Sequence, residues 1–171
     1  MKKDKDFFVV ENFFYKEDSK QLINFWESHK HLCNDNREFH AKRNLHIDNI
    51  EDKYIRYLLE YYFWKKISFI GHQFKKKLIA WQKPRICCWS KGEFMNLHID
   101  KTQKDDMEYS CVGYLNNNYE GGSLFFEDGT EIKPKERSLI FFKSDGNCHG
   151  VNKITKGKRY TLPSWFKDKK K

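Results

Sequence analysis

The sequence has little of what marks several large protein classes. It contains three prolines and nine glycines among 171 residues, with no repetitive or proline-rich stretch, which excludes a collagen-like or low-complexity chain. Its longest apolar run near the N-terminus is Phe7–Val10, far short of the ~18 residues of a membrane span. The charged opening Met1–Asp6 is followed by no hydrophobic signal segment, so we expect a cytoplasmic protein with no membrane partner.

The cysteines form no recognisable metal or disulfide pattern. There are five of them, an odd number, and no two are spaced as Cys-x-x-Cys. A structural zinc site needs closely spaced pairs of ligands, so we predict reduced thiols and no such site.

The charge is strongly positive. The chain has 33 Lys and Arg against 24 Asp and Glu, a formal net charge of +9. A basic protein can bind nucleic acid, a membrane surface or an acidic substrate, and a nucleic-acid partner stays open. Much of the excess lies in short runs at Lys75–Lys77 and 167–171, which favours solubility as the explanation.

The hydrophobic pattern changes along the chain. A strand is predicted at 7–14, a helix capped by Asp18 or Ser19, a loop at 33–43, and a second helix at 51–77 that Gly71 interrupts or ends. After residue 80, short β-prone runs alternate with turns, which predicts strands near 81–89, 94–99, 108–115, 122–127, 138–142, 148–152 and 158–166. We therefore expect one domain over 1–171, with N-terminal elements at 1–80, a β core at 81–166 and a basic tail at 167–171.

One pentapeptide occurs twice. Asn44–Asp48 and Asn96–Asp100 are both Asn-Leu-His-Ile-Asp, so each copy contains His-x-Asp. In a strand, residues i and i+2 point to the same face, so His98 and Asp100 are able to present an imidazole and a carboxylate together. In the first copy, Asp48 followed by Glu51 is instead typical of a helix cap.

A third metal ligand is available downstream. His149 follows His98 by 51 residues, on another predicted strand. Two histidines and one carboxylate form the facial triad of non-haem Fe(II) oxygenases. Arg159 and Thr161, on one face of the last strand, offer a guanidinium fork and a hydroxyl to a carboxylate of a co-substrate that chelates the metal.

The chain resembles the 2-oxoglutarate- and Fe(II)-dependent oxygenases, in particular the prolyl 4-hydroxylase-like branch. The order and spacing of four segments carry the resemblance: Trp89–Asp100, Gly113–Asn116, Glu120–Phe126 and His149–Phe166. It implies a mainly β, α+β fold: a double-stranded β-helix (jelly roll or cupin-like) core with N-terminal flanking helices. It also implies Fe(II), 2-oxoglutarate and O2, with ascorbate as a reductant.

The same resemblance assigns roles to single residues. His98, Asp100 and His149 would bind iron and form the catalytic centre. Arg159 would pair with the C5 carboxylate of 2-oxoglutarate. Thr161 and Tyr114 would be hydrogen-bonding partners of the co-substrate. Trp89 and Trp165 would line the substrate pocket, and Trp89 stands where many members of the family have a tyrosine.

Three functions remain open from the sequence. The favoured one is hydroxylation of an unactivated C–H bond, with a prolyl residue of a peptide or protein as the expected substrate. The second is demethylation or hydroxylation of a nucleic acid, encouraged by the positive charge but lacking the second arginine soon after Arg159 that the demethylase branch carries. The third is a non-catalytic β-sandwich binding module, which the presence of all three ligands disfavours.

Overall fold

The computed structural model describes residues 7–35, 43–100 and 107–169. Two α-helices lie in the N-terminal half, Lys16–Ser28 (α1) and Lys53–Phe74 (α2), and short 3₁₀ helices cover Lys30–Leu32 and Ile47–Asn49. The strands, in chain order, are Phe7–Val10 (β1), Asn34–Asp35 (β2), Arg43–His46 (β3), Leu78–Ala80 (β4), Arg85–Ser90 (β5), Met95–His98 (β6), Tyr109–Tyr114 (β7), Glu120–Gly121 (β8), Leu124–Phe126 (β9), Glu131–Ile132 (β10), Ser138–Lys143 (β11), His149–Val151 (β12), Ile154–Lys156 (β13) and Lys158–Asp168 (β14).

Two antiparallel sheets form the β core. The larger sheet has the strand order β1-β11-β7-β14-β5-β3-β2, and β4 pairs with the distal end of β14. The smaller sheet has the order β10-β9-β12-β6, while β13 and β8 form a separate ribbon. Tyr114, Ile140 and Phe142 of the large sheet pack against Leu124 and Phe126 of the small one, so the two sheets share an apolar interior. The predicted mainly β double-stranded helix is confirmed.

The helices cover the outer face of the large sheet. In β5 the side chains alternate: Ile86 and Cys88 belong to the cluster packed under the helices, whereas Cys87 and Trp89 belong to an inner cluster. This period of two is the expected signature of a sheet with both faces covered. The side chains on the inner face are therefore the ones available to a site between the sheets.

The start of α1 differs from the prediction. Its N-cap is Tyr15, which makes no capping hydrogen bond through its side chain, and Asp18 and Ser19 lie inside the helix. Asp18 is occupied elsewhere, because its Oδ2 accepts the hydroxyl hydrogen of Tyr62 at 2.5 Å. The Tyr62 hydroxyl in turn accepts from the Tyr15 backbone N–H at 3.0 Å, so a buried tyrosine fixes this helix start.

The start and end of α2 also correct the prediction. Asp52 caps the helix by accepting from the backbone N–H groups of its third residue and its second, Ile55 and Tyr54, so the predicted Asp48–Glu51 cap is wrong. Asp48 pairs instead with Lys83 at 2.9 Å. Gly71 lies within α2, which ends only where Lys75 adopts a left-handed conformation.

Several boundaries of the β core were also mispredicted. The expected loop at 33–43 contains β2 and the start of β3, with residues 36–42 outside the described part. The strand expected from residue 81 begins at Arg85, and β4, assigned to the N-terminal segment, joins the large sheet. The expected tail begins too early, because β14 extends to Asp168. Strands of two residues, such as β8 and β10, are too short for a periodicity signal.

The described residues include two α-helices, and only α2, with 22 residues, approaches the length of a membrane span. Neither of them is both long enough and apolar enough to cross a bilayer.

Candidate metal and co-substrate site

Three predicted ligands lie together at one end of the small sheet. His98 ends β6 and His149 begins β12, and the two residues are paired across these neighbouring strands. The carboxylate of Asp100 lies between them, with 3.4 Å from Oδ1 to His98 Nε2 and 3.7 Å from Oδ2 to His149 Nε2. One ligand atom from each residue falls within 4.8 Å of the others. Asp100 lies two residues beyond His98, which is the last residue of β6, so the two residues do not share a strand.

The backbone fixes both imidazoles in the same way. Nδ1 of His98 lies 3.0 Å from the carbonyl oxygen of Asn96, and Nδ1 of His149 lies 3.0 Å from that of Asn147. A carbonyl oxygen only accepts, so Nδ1 carries a hydrogen in each ring, and in the neutral form of each ring Nε2 keeps the lone pair that binds a metal. Such bonds orient the ligands of a metal ion and fix their tautomers. The cluster is thus arranged for metal binding without rearranging either histidine.

Burial and mutual contact set the charges of the cluster. Burial by itself raises the pKa of Asp100, but bonding to His98 and the neighbouring His149, together with contacts to Ser110 and Trp165, lowers it to about 2. Burial lowers the pKa of His149. Burial acts in the same direction on His98, but its bond to Asp100 raises its pKa overall. Asp100 is therefore an anion at neutral pH, the form that binds a metal.

Arg159 is a buried cation with incomplete hydrogen bonding. It is 1% exposed, and its Nη2 donates to the hydroxyl of Tyr114 at 3.2 Å. Its Nε and Nη1 are also buried but have no hydrogen-bond partner among the described residues. Buried arginines are almost always paired with an acid or fully hydrogen-bonded, because an unsatisfied buried donor is costly. The unsatisfied donors of Arg159 are suited to a carboxylate from outside the chain.

Aromatic rings enclose the guanidinium. The rings of Tyr114 and Trp89 lie 5.0 and 5.3 Å from its Cζ. Trp89 is 5% exposed and packs against the cation. Burial raises the pKa of Tyr119 to about 12, with Arg159 nearby acting in the opposite direction. The hydroxyl of Tyr119, like the two Arg159 groups, has no partner in the described structure.

A glycine makes room for this arrangement. Gly122 has φ +67°, and a Cβ there would lie 3.2 Å from Cδ of Arg159 and 2.3 Å from Cδ1 of Ile154. A side chain at this position would overlap Ile154 and crowd the stem of Arg159. Tyr119 and Gly122 complete the surroundings of Arg159. Among the sequence predictions, Gly122 occurs only within the segment Glu120–Phe126, and Tyr119 is not singled out.

The other predicted residues of β14 lie on the inner face. Thr161 is 1% exposed and lies two residues after Arg159, on the same face of β14. In the sheet it is paired with Tyr114 of β7 and Cys87 of β5. Trp165 lies four residues after Thr161, on the same face of β14. It is partly buried, and Cζ of Arg85 lies 4.8 Å from its ring. Its contact with Asp100 places it beside the donor cluster, at the end of β14 away from Arg159.

The first copy of the pentapeptide lies elsewhere. His46 ends β3, and Asp48 is engaged by Lys83. Among the described residues, neither joins a group of potential metal ligands. The identical pentapeptide therefore has two unrelated structural uses in this chain.

Comparison with known proteins agrees with this geometry. Residues 84–167 match the 2OG-Fe(II) oxygenase superfamily. Prolyl 3-hydroxylase 2 of Homo sapiens is 41% identical to this chain over 66 residues, which are 34% of this chain and 9% of that protein. The chain thus matches about a tenth of the length of this curated relative.

Solved structures share the fold. A Pseudomonas putida prolyl-4-hydroxylase superposes with a TM-score of 0.75 at 18% identity, over 98% of this chain and 95% of that one. A prolyl hydroxylase from Trichoplax adhaerens, solved with a peptide fragment of the hypoxia inducible factor oxygen degradation domain, superposes with a TM-score of 0.72 at 20% identity, over 96% and 84% of the two chains.

The name of the superfamily implies Fe(II) and 2-oxoglutarate, and the residues fit both. His98, Asp100 and His149 supply the donor types that select non-haem Fe(II). The unpartnered N–H groups of Arg159 fit the carboxylate of a dicarboxylic acid. The donor cluster, this arginine and the family match occupy the same stretch of chain. Through residues 84–167, the chain matches the 2OG-Fe(II) oxygenase superfamily.

Proposed function

We propose that this protein is a 2-oxoglutarate- and Fe(II)-dependent dioxygenase that hydroxylates a prolyl residue of a peptide or protein. The overall reaction converts the C–H bond, 2-oxoglutarate and O2 into the C–OH product, succinate and CO2. One oxygen atom enters the product and the other enters succinate, so atoms and electrons balance without a further reactant.

The observation that carries this proposal is the coexistence of two incomplete sites in one interior. One is a cluster of three metal ligands whose two histidines are already oriented by backbone carbonyls. The other is Arg159, which holds two buried N–H groups without a partner in the described structure. A non-catalytic sandwich has no use for either feature, since both cost stability when nothing is bound.

The residues divide the work between them. His98, Asp100 and His149 would hold the iron, which with 2-oxoglutarate supplies the oxygen-activating chemistry. Arg159 would bind the C5 carboxylate, and we propose Thr161 and Tyr114 as its hydrogen-bonding companions. The role of the protein is to orient the co-substrate and exclude water from the reacting centre.

The substrate assignment comes from the relatives. The curated relatives are prolyl 3-hydroxylases, and one of the structural neighbours was solved with a peptide fragment. We therefore propose a proline-containing peptide, hydroxylated at C3 or C4. Trp165, partly buried beside Asp100, is our candidate for contact with the prolyl ring, because aromatic faces pack well against proline.

The first experiment tests the metal and co-substrate. Anaerobic addition of Fe(II) and then 2-oxoglutarate to the metal-free protein should produce the weak visible charge-transfer band of a chelated keto acid. His98→Ala should abolish the band and the release of succinate. His46→Ala is the matched control, since it alters the same pentapeptide in its first copy and should leave both intact. A folded, metal-loaded wild type without the band would contradict the proposal and favour the binding module.

The second experiment identifies the substrate. Proline-containing peptide libraries would be incubated with Fe(II), 2-oxoglutarate and O2, with and without ascorbate, and the products analysed for 3- and 4-hydroxyproline. A gain of 16 Da on proline supports the proposal, and the isomer found decides between the two positions. Methylated single-stranded oligonucleotides would be assayed in parallel. Demethylation of these, with no modified peptide, would replace the prolyl assignment while leaving the oxygenase intact.

A further inference from the structure

A second arginine lies on the inner face of the large sheet, away from Arg159. Arg85 begins β5 and shares a face with Cys87 and Trp89, which belong to the inner cluster. Arg159 is paired with Trp89, so Arg85 lies four residues, or about 13 Å, further along β5. The Arg85 side chain is partly buried, and its Nε is buried with no hydrogen-bond partner among the described residues. Arg85 is therefore another cation with an unused donor.

The acidic groups around Arg85 are engaged by other residues. Asp48 is held by Lys83 at 2.9 Å, and Asp100 is bonded within the cluster of metal ligands. His46, the partner of Arg85 on the adjacent β3, supplies no negative charge, and burial together with Arg85 lowers its pKa. Among the described residues, no Asp or Glu forms an ion pair with Arg85.

The thiol of Cys87 does not serve as the missing anion. Burial raises its pKa to about 11, although Arg85 beside it acts in the opposite direction. The thiol therefore keeps its hydrogen at neutral pH and donates it to Oδ1 of Asn44 at 2.7 Å. The positive charge of Arg85 has no counter-ion in the described part of the chain, a costly state for a partly buried cation.

Trp165 places Arg85 near the metal ligands. Cζ of Arg85 lies 4.8 Å from the Trp165 ring, and Trp165 also contacts Asp100. Arg159, at the other end of the inner face, would hold the distal carboxylate of 2-oxoglutarate, so the co-substrate would lie between Arg159 and the metal ligands. The space beside Trp165 and Arg85 is left for the substrate.

We propose that Arg85 binds a carboxylate of the substrate, next to the prolyl residue that is hydroxylated. This inference rests on the proposed function and deepens it, because the substrate becomes an acidic prolyl peptide. The carboxylate is that of an Asp or Glu adjacent to the proline, or the free C-terminus of a peptide that ends in proline. A guanidinium binds either one through parallel N–H bonds, and its packing on Trp165 restricts its orientation. The net charge of +9 also attracts acidic peptides at long range.

The test compares matched peptides on the anaerobic protein loaded with Fe(II) and 2-oxoglutarate. Peptides with Asp before or after a central proline would be compared with the same peptides carrying Asn, and a peptide ending in proline with its C-terminal amide. Fluorescence anisotropy measures Kd without turnover, and kcat/KM is then measured in air. We expect one carboxylate position to improve both quantities by about tenfold or more, as for a charge-assisted hydrogen bond. That position identifies the source of the carboxylate.

Variants at Arg85 test whether this residue causes the preference. Arg85→Gln should weaken the acidic peptide to the level of its uncharged match, while the charge-transfer band with 2-oxoglutarate still forms. Arg85→Glu should reverse the preference, favouring a peptide with Lys in place of Asp. Lys83→Gln removes an exposed cation two residues away and is the matched control, which should keep the preference. Circular dichroism would establish that each variant is folded.

The outcomes separate this inference from the proposed function. Equal binding and turnover of acidic and uncharged peptides, or a preference that survives Arg85→Gln, would overturn the role of Arg85 and leave prolyl hydroxylation intact. A protein that forms the charge-transfer band but hydroxylates no prolyl peptide would overturn the prolyl assignment, and this inference with it.

Discussion

Two buried cations on opposite sides of β14 show how differently this protein treats a charge. Lys66 of α2 is 2% exposed on the outer side, and its Nζ donates to the carbonyl oxygen of Leu162 at 2.7 Å and to Oγ of Ser164 at 3.1 Å. Arg159 is 1% exposed on the inner side, and two of its N–H-bearing nitrogens have no partner among the described residues. Among the described residues, neither cation forms an ion pair with an Asp or Glu side chain.

We propose that the difference separates a structural cation from a ligand-binding one. Lys66 finds acceptors within the chain, so it contributes to the folded state of the apoprotein. Arg159 keeps hydrogen-bonding capacity unused, and the free energy of that capacity becomes available only when a carboxylate enters. Burial alone would not distinguish these residues, whereas their hydrogen-bond partners do.

The largest effect is expected from replacing Arg159, the cation with unused hydrogen-bond donors. Arg159→Ala should raise the KM for 2-oxoglutarate roughly a hundredfold, as expected for loss of a charge-assisted fork. Fe(II) binding should stay near normal, because the three ligands are untouched. Steady-state succinate formation and a metal titration would measure the two effects, with Lys156→Ala, an exposed lysine paired with Glu120, as the charge control. An unchanged KM would remove Arg159 from the co-substrate site.

The complementary change at Lys66 should affect stability instead. Lys66→Ala deletes a buried side chain together with its two hydrogen bonds, so we expect the free energy of unfolding to fall by about 3 kcal/mol. The KM for 2-oxoglutarate should be unchanged in the fraction that is folded. Urea unfolding at equilibrium measures the first quantity. Lys66→Met, which retains most of the volume, separates lost packing from lost hydrogen bonding.

A smaller effect is expected from the one hydrogen bond that Arg159 does make. Tyr114→Phe removes the hydroxyl that accepts from Nη2, while the ring stays beside the guanidinium. We expect a rise of about tenfold in the KM for 2-oxoglutarate, near the lower limit for a hydrogen bond to a charged group, because the 3.2 Å contact is long. A KM equal to that of the wild type would show that this hydroxyl does not position the arginine.

The smallest effect is expected at Glu27, a carboxylate that is paired with two lysines of the same chain. Glu27 is hydrogen-bonded by Lys158, Lys30 and Tyr160, and these contacts outweigh burial and lower its pKa from 4.5 to about 2. Because the folded pKa is lowered, its stabilisation is present above pH 4.5 and disappears as the pH falls towards 2.

Glu27→Gln should therefore destabilise the protein at pH 7 by less than about 1 kcal/mol, since the group is partly exposed to solvent. The difference between variant and wild type should vanish near pH 2. Thermal unfolding at a series of pH values measures it, and a difference independent of pH would mean that packing at Glu27, not its charge, is responsible.

The sequence predicted what depends on local pattern and motif order. Periodicity located α2 and seven of the ten strands described after residue 80, and the order of segments identified the three candidate ligands that the structure brings together. Patterns could not predict the starts of helices, because Asp18 is recruited by Tyr62 from 44 residues away and Asp52, not Asp48, forms the cap. The place of Trp89 against Arg159 likewise depends on pairing between β5 and β14.

The alternation of β14 has a consequence for the folding of the protein. Arg159 and Thr161 point towards the site, while Tyr160 and Leu162 belong to the core beneath the helices. A slip of β14 by a single residue would exchange these faces, placing a guanidinium under α2 and a phenol in the co-substrate site. Misregistered molecules would be unable to bind 2-oxoglutarate. The fraction of refolded chains that binds it is therefore a direct count of those in which β14 has found its correct neighbours.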